Sequence, residues 1–280
     1  MGVTVVRPKD LPDFRKPPLT ELVLSLQFET IAGLTTAHVG VLWERFRNDL
    51  PVVEEHPPLP PVIEAFGPLQ PTRLEVTIEE KPPLRRVWFL NQSKTELIQV
   101  QADRFIHNWR QGEGREAYPR YESVRDHFRK EAGILEQFLR DESLGELQLS
   151  QCEVTYLNHI DPSGVWQRQG QLEAVMRNWT RPSQSMFLGE PEDVGVHLRF
   201  IIPDNQGKAI GRLHATIQPA WRRTDNRPIL ALNLTARGKP LHEGIEGAFA
   251  FFDLGREWIV KGFRDLTTPE MHRVWEATNV

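Results

Sequence analysis

The sequence predicts an α+β fold of two similar halves, each an antiparallel sheet wrapped on a long helix, and three observations predict it. Two-residue alternation marks strands throughout the 280-residue chain, from LTELVLSLQFE near the start to PILALNLTARG near the end. Two long stretches, YESVRDHFRKEAGILEQFLRDE and GIEGAFAFFDLGREWIVKGFRDL, repeat their apolar residues at helical spacing. The order strand, helix, strands, long helix also occurs twice, which suggests duplication of one unit. Residues 1–18 are then an extended N-terminal arm, 19–145 the first half and 146–280 the second.

Local physics accounts for each element in turn. Pro8, Pro12, Pro17 and Pro18 remove backbone donors and favour an extended arm. In LTELVLSLQFE, Leu22, Leu24, Leu26 and Phe28 point one way while Glu21, Val23, Ser25 and Gln27 point the other. Thr35 or Thr36 can cap a helix whose Val39, Leu42, Trp43 and Phe46 share a face, ending before Pro51. EEHPPLPPVIEAFGPLQP is too rich in proline for regular structure and should cross a surface in extended form; the same composition would suit a polyproline ligand.

RLEVTIEE, LRRVWFLN and ELIQVQADRFIHNW follow as three strands separated by turn signals, before the first long helix over 121–141. Beyond a boundary at residues 144–147, LSQCEVTYLNHI is a strand and GQLEAVMRNW a short helix. GVHLRFIIP, AIGRLHATIQPA and PILALNLTARG are strands that lead to a helix over 244–263. Links this short cannot contain crossover helices, so the pairing should be antiparallel.

Composition excludes several roles. A net charge of −4 with a pI near 6.2 offers no global attraction to nucleic acid, which is disfavoured as a partner. No window approaches eighteen apolar residues and the N-terminus lacks a signal-peptide core, so no membrane role and a cytoplasmic address are expected. Cys152 is the only cysteine, which rules out an intramolecular disulfide and a cysteine-rich zinc site and fits a small buried hydrophobe. The nine histidines are dispersed without an H-E-x-x-H arrangement, and no G-x-S-x-G, P-loop or dinucleotide fingerprint occurs. No metal, no cofactor and no catalytic residue is therefore assigned.

Three stretches carry candidate recognition chemistry. In LIQVQADRFIHNWR, Gln99 and Gln101 share a strand face, and Asn108, Trp109 and Arg110 add a carboxamide, a flat ring and a guanidinium suited to a polar or anionic ligand. Against this, Trp109 could anchor a loop and Arg110 pair with a nearby acid. VGVHLRFIIPDNQGKAIGRLHATI should be a hairpin; with Asn205 and Gln206 as a two-residue loop, His197 faces His214 and Arg199 faces Arg212, a cationic cluster able to bind an anion or to lie on a solvated outer face. A bulge at Pro203 would break that register. In TTPEMHRVW, Thr267 and Glu270 form a capping box around Pro269, and His272 and Trp275 share a face suited to packing within the chain or, as the alternative, to a surface against another domain or a partner.

Together PPLTELVLSLQFE, LIQVQADRFIHNWR with YPRYESV, EVTYLNHI, LNLTARG and TTPEMHRVW resemble a sporadically distributed, functionally uncharacterised family of bacterial proteins. The likeness spans nearly the whole chain. It implies an intracellular bacterial protein of patchy occurrence, a distribution often seen in defence-associated genes.

Three function classes follow. A non-enzymatic binding or interaction protein, with a protein partner or a small polar or anionic ligand, comes first. An enzyme whose site assembles in the cleft between the halves is second, because such sites leave no linear motif. A nucleic-acid-binding sheet is third.

Overall fold

The computed structural model describes residues 8, 10–66, 84–112, 118–180 and 187–279. RLEVTIEE and residues 1–7 and 9 of the N-terminal arm lie outside them. The chain forms strands β1 (Asp13–Phe14), β2 (Leu19–Phe28), β3 (Val52–His56), β4 (Arg86–Leu90), β5 (Glu96–Gln101), β6 (Arg104–Arg110), β7 (Leu149–Ile160), β8 (Val196–Pro203), β9 (Ala209–Trp221), β10 (Pro228–Gly238) and β11 (Ala277–Asn279). Helices are α1 (Thr36–Glu44), α2 (Tyr121–Asp141), α3 (Gly244–Leu266) and α4 (Pro269–Val274), with a 3-10 turn at Leu172–Ala174.

Nine strands make one antiparallel sheet in the order β3-β4-β5-β6-β2-β7-β10-β9-β8, and β1 pairs separately with β11. This overturns the expectation of two halves, each with its own sheet and long helix. The free edge of β2 bonds along its length to β7, with Leu24 opposite Val154 and Leu26 opposite Cys152. Alternation identifies a strand but not its partner, and merging two edges satisfies backbone groups that separate sheets would leave open. The boundary at residue 145 consequently falls between two strands of a common sheet.

The helices cover one face. Phe46, just past α1, lies 6.2 Å from Phe89 and 6.4 Å from Phe105, while Phe128 of α2 stacks on Phe105 at 5.7 Å and meets Phe249 and Phe252 of α3. Leu22, Leu24 and Leu26 of β2, Val154 of β7 and Leu230, Leu232 and Leu234 of β10 are wholly buried beneath them. Two acids tie α3 to α2. Asp253 accepts a bidentate pair from Arg125 at 2.7 and 2.8 Å together with the Tyr121 hydroxyl at 2.8 Å, and Glu122 accepts from Arg256 at 3.0 Å.

Several local expectations need correction. QVQADRFIH is two strands rather than one: Gln101 pairs with Arg104, so Ala102 and Asp103 form a tight turn that folds β6 back on β5. GQLEAVMRNW makes only the single 3-10 turn. Thr268, not Thr267, caps α4, accepting from the Met271 amide at 3.4 Å, while the buried Thr267 hydroxyl donates to the Phe263 carbonyl at 2.6 Å. His272 and Trp275 pack against Phe14 at 5.7 and 6.2 Å. Among the described residues no helix is long and apolar enough to cross a membrane.

Candidate functional site

Opposite the helices, the sheet turns a polar face outward, and residues 57–66, PPLPPVIEAF, run across it. Pro57, Pro58, Pro60 and Pro61 carry no amide hydrogen, which leaves few backbone donors in the segment. Glutamine side chains accept three of them. Gln101 Oε1 accepts from the Leu59 amide at 2.9 Å, Gln27 Oε1 from Val62 at 3.3 Å and Gln151 Oε1 from Glu64 at 3.2 Å. Gln101 Nε2 also donates to the Leu59 carbonyl at 3.1 Å, gripping both backbone groups of one residue as a neighbouring strand would.

These glutamines form a row at right angles to the strands. Gln101 lies opposite Arg104, Arg104 opposite Gln27, and Gln27 opposite Gln151. Three inter-strand steps of about 4.8 Å cover roughly 14 Å. Five residues of extended proline-rich chain at about 3.1 Å each cover roughly 16 Å. The spacing of Leu59 and Glu64 in the sequence thus matches the spacing of their receptors across the sheet.

At the end of the row the segment delivers a carboxylate. Glu64 accepts from Arg212 and lies 2.7 Å from His214 Nε2 and 3.6 Å from Arg237. Burial opposes its ionisation, but the hydrogen bond and attraction from His214, with Arg212 and Arg237 beyond, outweigh that and hold its carboxyl below the usual range. Arg237 also pairs with Glu153 at 2.6 Å.

Between segment and sheet lies a cavity of about 210 Å³, walled by Gln27, Leu59, Val62, Arg86, Gln99, Arg104, Asn108, Gln151 and Glu153 among others. Arg104 is 7 % exposed and donates to two uncharged oxygens, Gln27 Oε1 at 2.7 Å and the Pro60 carbonyl at 2.9 Å. Among the described residues its Nε is buried without a partner, and so is that of Arg86. Burial lowers the pKa of Arg104; Asp103 and Glu153 act against this and Arg237 adds to it. Burial likewise lowers Arg86, reinforced by Arg104 and Arg110. Both are cations short of counter-charge.

An amide chain orders the neighbouring wall. Arg86 donates to Gln99 Oε1 at 2.8 Å, Gln99 Nε2 to Asn108 Oδ1 at 2.7 Å, and Asn108 Nδ2 to Glu21 at 2.6 Å. A guanidinium can only donate and a carboxylate only accept, which sets the direction of both amides.

The sequence-chosen residues divide accordingly. Gln99, Gln101 and Asn108 lie buried on the polar face, and Arg110, partly exposed and bound to Glu21 at 3.0 Å, shares that face. Trp109 does not join them: alternation turns it under the sheet against Tyr118, and the ring beside Arg110 is Trp88 at 4.8 Å. In the β8–β9 hairpin, His197 pairs with Thr216, Arg199 with His214 and Ile201 with Arg212. The expected register fails because the chain turns over Asp204 to Lys208 with an irregularity at Pro203, displacing the pairing by two residues. Arg212 and His214 belong to the Glu64 cluster; Arg199 and His197 remain exposed at the sheet edge, although the His197 ring stacks on His214 at 5.8 Å.

Sequence reasoning missed Glu64, Gln27, Gln151, Arg86, Arg104 and Arg237. Gln27 and Gln151 could have been found as polar residues alternating with buried ones on interior strands. Glu64 gave no signal, because its partners are 148 and 150 residues away.

Helices on one face of a nine-stranded antiparallel sheet and a polar strap on the other define an α+β architecture. Compared with protein-family models, curated proteins and solved structures, the chain matches none.

Proposed function

We propose that this chain is a binding protein rather than a catalyst, and that the cavity between the sheet and residues 57–66 takes a small anion through Arg104 and Arg86. One observation carries the reading: Arg104 is almost fully buried at the cavity wall, bonded only to neutral oxygens, with no carboxylate within ion-pair distance among the described residues. An unpaired buried cation is costly, and an anion in the fork of its guanidinium would offset that cost. A cavity of about 210 Å³ is smaller than the roughly 300–1,000 Å³ that holds drug-sized ligands, so the ligand is compact.

The lining favours binding over catalysis. Most polar groups of the wall are guanidiniums and amides, which orient an anion but do not exchange protons near neutral pH, and its carboxylate, Glu153, is held by Arg237. The Cys152 thiol is pushed well above its usual value by burial and donates weakly to the Gly238 carbonyl, which makes it a poor nucleophile. Nucleic acid is disfavoured for a separate reason: Glu21, Glu64 and Glu153 interrupt the cationic face at contact distance.

Isothermal titration with inorganic phosphate, citrate and ribose 5-phosphate tests the proposal. At least one should bind, and Arg104→Lys, which keeps the charge but loses the planar fork, should weaken it about tenfold or more. If none of the three gives heat or raises the melting temperature, the cavity is not an anion site.

A further inference from the structure

We infer that the glutamine row and the Arg212–His214–Arg237 cluster form a recognition track for an extended, proline-containing peptide bearing a carboxylate, and that residues 57–66 are its intramolecular occupant. The row reads backbone: Gln101, Gln27 and Gln151 accept amide hydrogens from residues 59, 62 and 64, and Gln101 also donates to a carbonyl. Such contacts ask for an extended chain with prolines at tolerated positions and say little about side chains. Specificity comes from the cluster, where Arg212, His214 and Arg237 converge on one carboxylate.

The occupant is held in a way that permits exchange. Within residues 57–66 only Glu64 is buried; Ile63 is 75 % exposed and Phe66 lies on the surface over Arg212. A segment fastened mainly by polar contacts, whose apolar Leu59 and Val62 are only half-buried, belongs to the less stable part of a fold and opens before the core does. What it leaves behind is a row of oriented amides with two guanidiniums and an imidazole, which a second peptide of the same chemistry satisfies equally well. The track shares Gln27, Gln151 and Arg104 with the cavity of the small-anion proposal, but the two tests fail separately, since that one turns on Arg104→Lys and this one on Arg212→Gln.

Fluorescence polarisation with a labelled peptide PPLPPVIEAF and the full-length protein tests it. In the wild type the tethered copy competes at an effective concentration on the order of millimolar, so the peptide should bind weakly. Glu64→Gln loosens the tethered copy and should tighten peptide binding about tenfold or more. Leu59→Pro, which removes the amide that Gln101 accepts, should do the same from the other end. The gain should vanish when the peptide carries Gln in place of its Glu, and again when Arg212→Gln is added to Glu64→Gln. If both loosened variants melt like the wild type and bind the peptide no more tightly, the track does not exchange its occupant. If both variants lose the folded state, the segment is an integral part of the fold and the inference fails equally; binding that survives Arg212→Gln would remove the cluster from it.

Discussion

Trp109 is 4 % exposed beneath the sheet, paired across strands with Leu22 and Glu96 and packed 5.1 Å from Tyr118. Trp109→Ala is expected to cost about 3–5 kcal/mol, read from chemical denaturation, because the residual cavity cannot close between strand and helix. Two residues back, His107 is fully buried with Nδ1 2.8 Å from Glu131. Burial opposes its protonation, yet the charge and hydrogen bond of Glu131 win and raise its pKa above the ordinary 6.5. A raised folded value means that the ion pair stabilises fully below the unfolded pKa and that its contribution is lost as pH rises through the folded one. His107→Gln should therefore destabilise more at about pH 5.5 than at about pH 8.5; equal losses in melts at the two pH values would mean that the pair carries no charge. Period-two alternation carried to the end of β6 separates Trp109 from Arg110, which the sequence reading had grouped in one site, whereas Glu131 and Glu21 as partners of His107 and Arg110 left no local pattern, since ion pairing across a fold leaves none.

At the scale of elements, the long helices were legible because their apolar stripes are continuous, and β5 and β6 were misjudged because the turn at Ala102 and Asp103 lacks glycine and proline. The hairpin register at β8–β9 failed for a related reason: Asp204 Oδ1 accepts from the Gln206 and Lys208 amides, closing a longer turn than residue type suggested. The contact between α2 and α3 was invisible to any local pattern, and Asp253 is one of its polar ties. Asp253→Ala would strip Tyr121 and Arg125 of their shared acceptor, which is expected to cost about 1–3 kcal/mol for each stranded donor. A double-mutant cycle with Arg125→Met checks it; additive losses would show that the two helices are not coupled through this acid.

For the whole molecule, the decisive fact is one that no stretch of sequence carries, the pairing of β2 with β7 in the middle of a nine-stranded sheet. A fragment of residues 1–145 would present the second edge of β2 without a partner, and should aggregate or remain unfolded, as circular dichroism and size-exclusion chromatography would show. A soluble, folded fragment with native-like strand content would overturn that expectation. The strap follows the same logic on a smaller scale, since proline density announced an extended segment while its landing on Gln101, Gln27 and Gln151 required the completed sheet. Time enters here as well. Thr20 of β2 bonds to the Leu157 carbonyl 137 residues later, so at roughly 5–20 residues per second a nascent chain carries this open edge for on the order of ten seconds before its partner leaves the ribosome. Synthesis rate, and the chaperones that shield unpaired strands during that wait, should govern the yield of this protein more than the stability of its finished core.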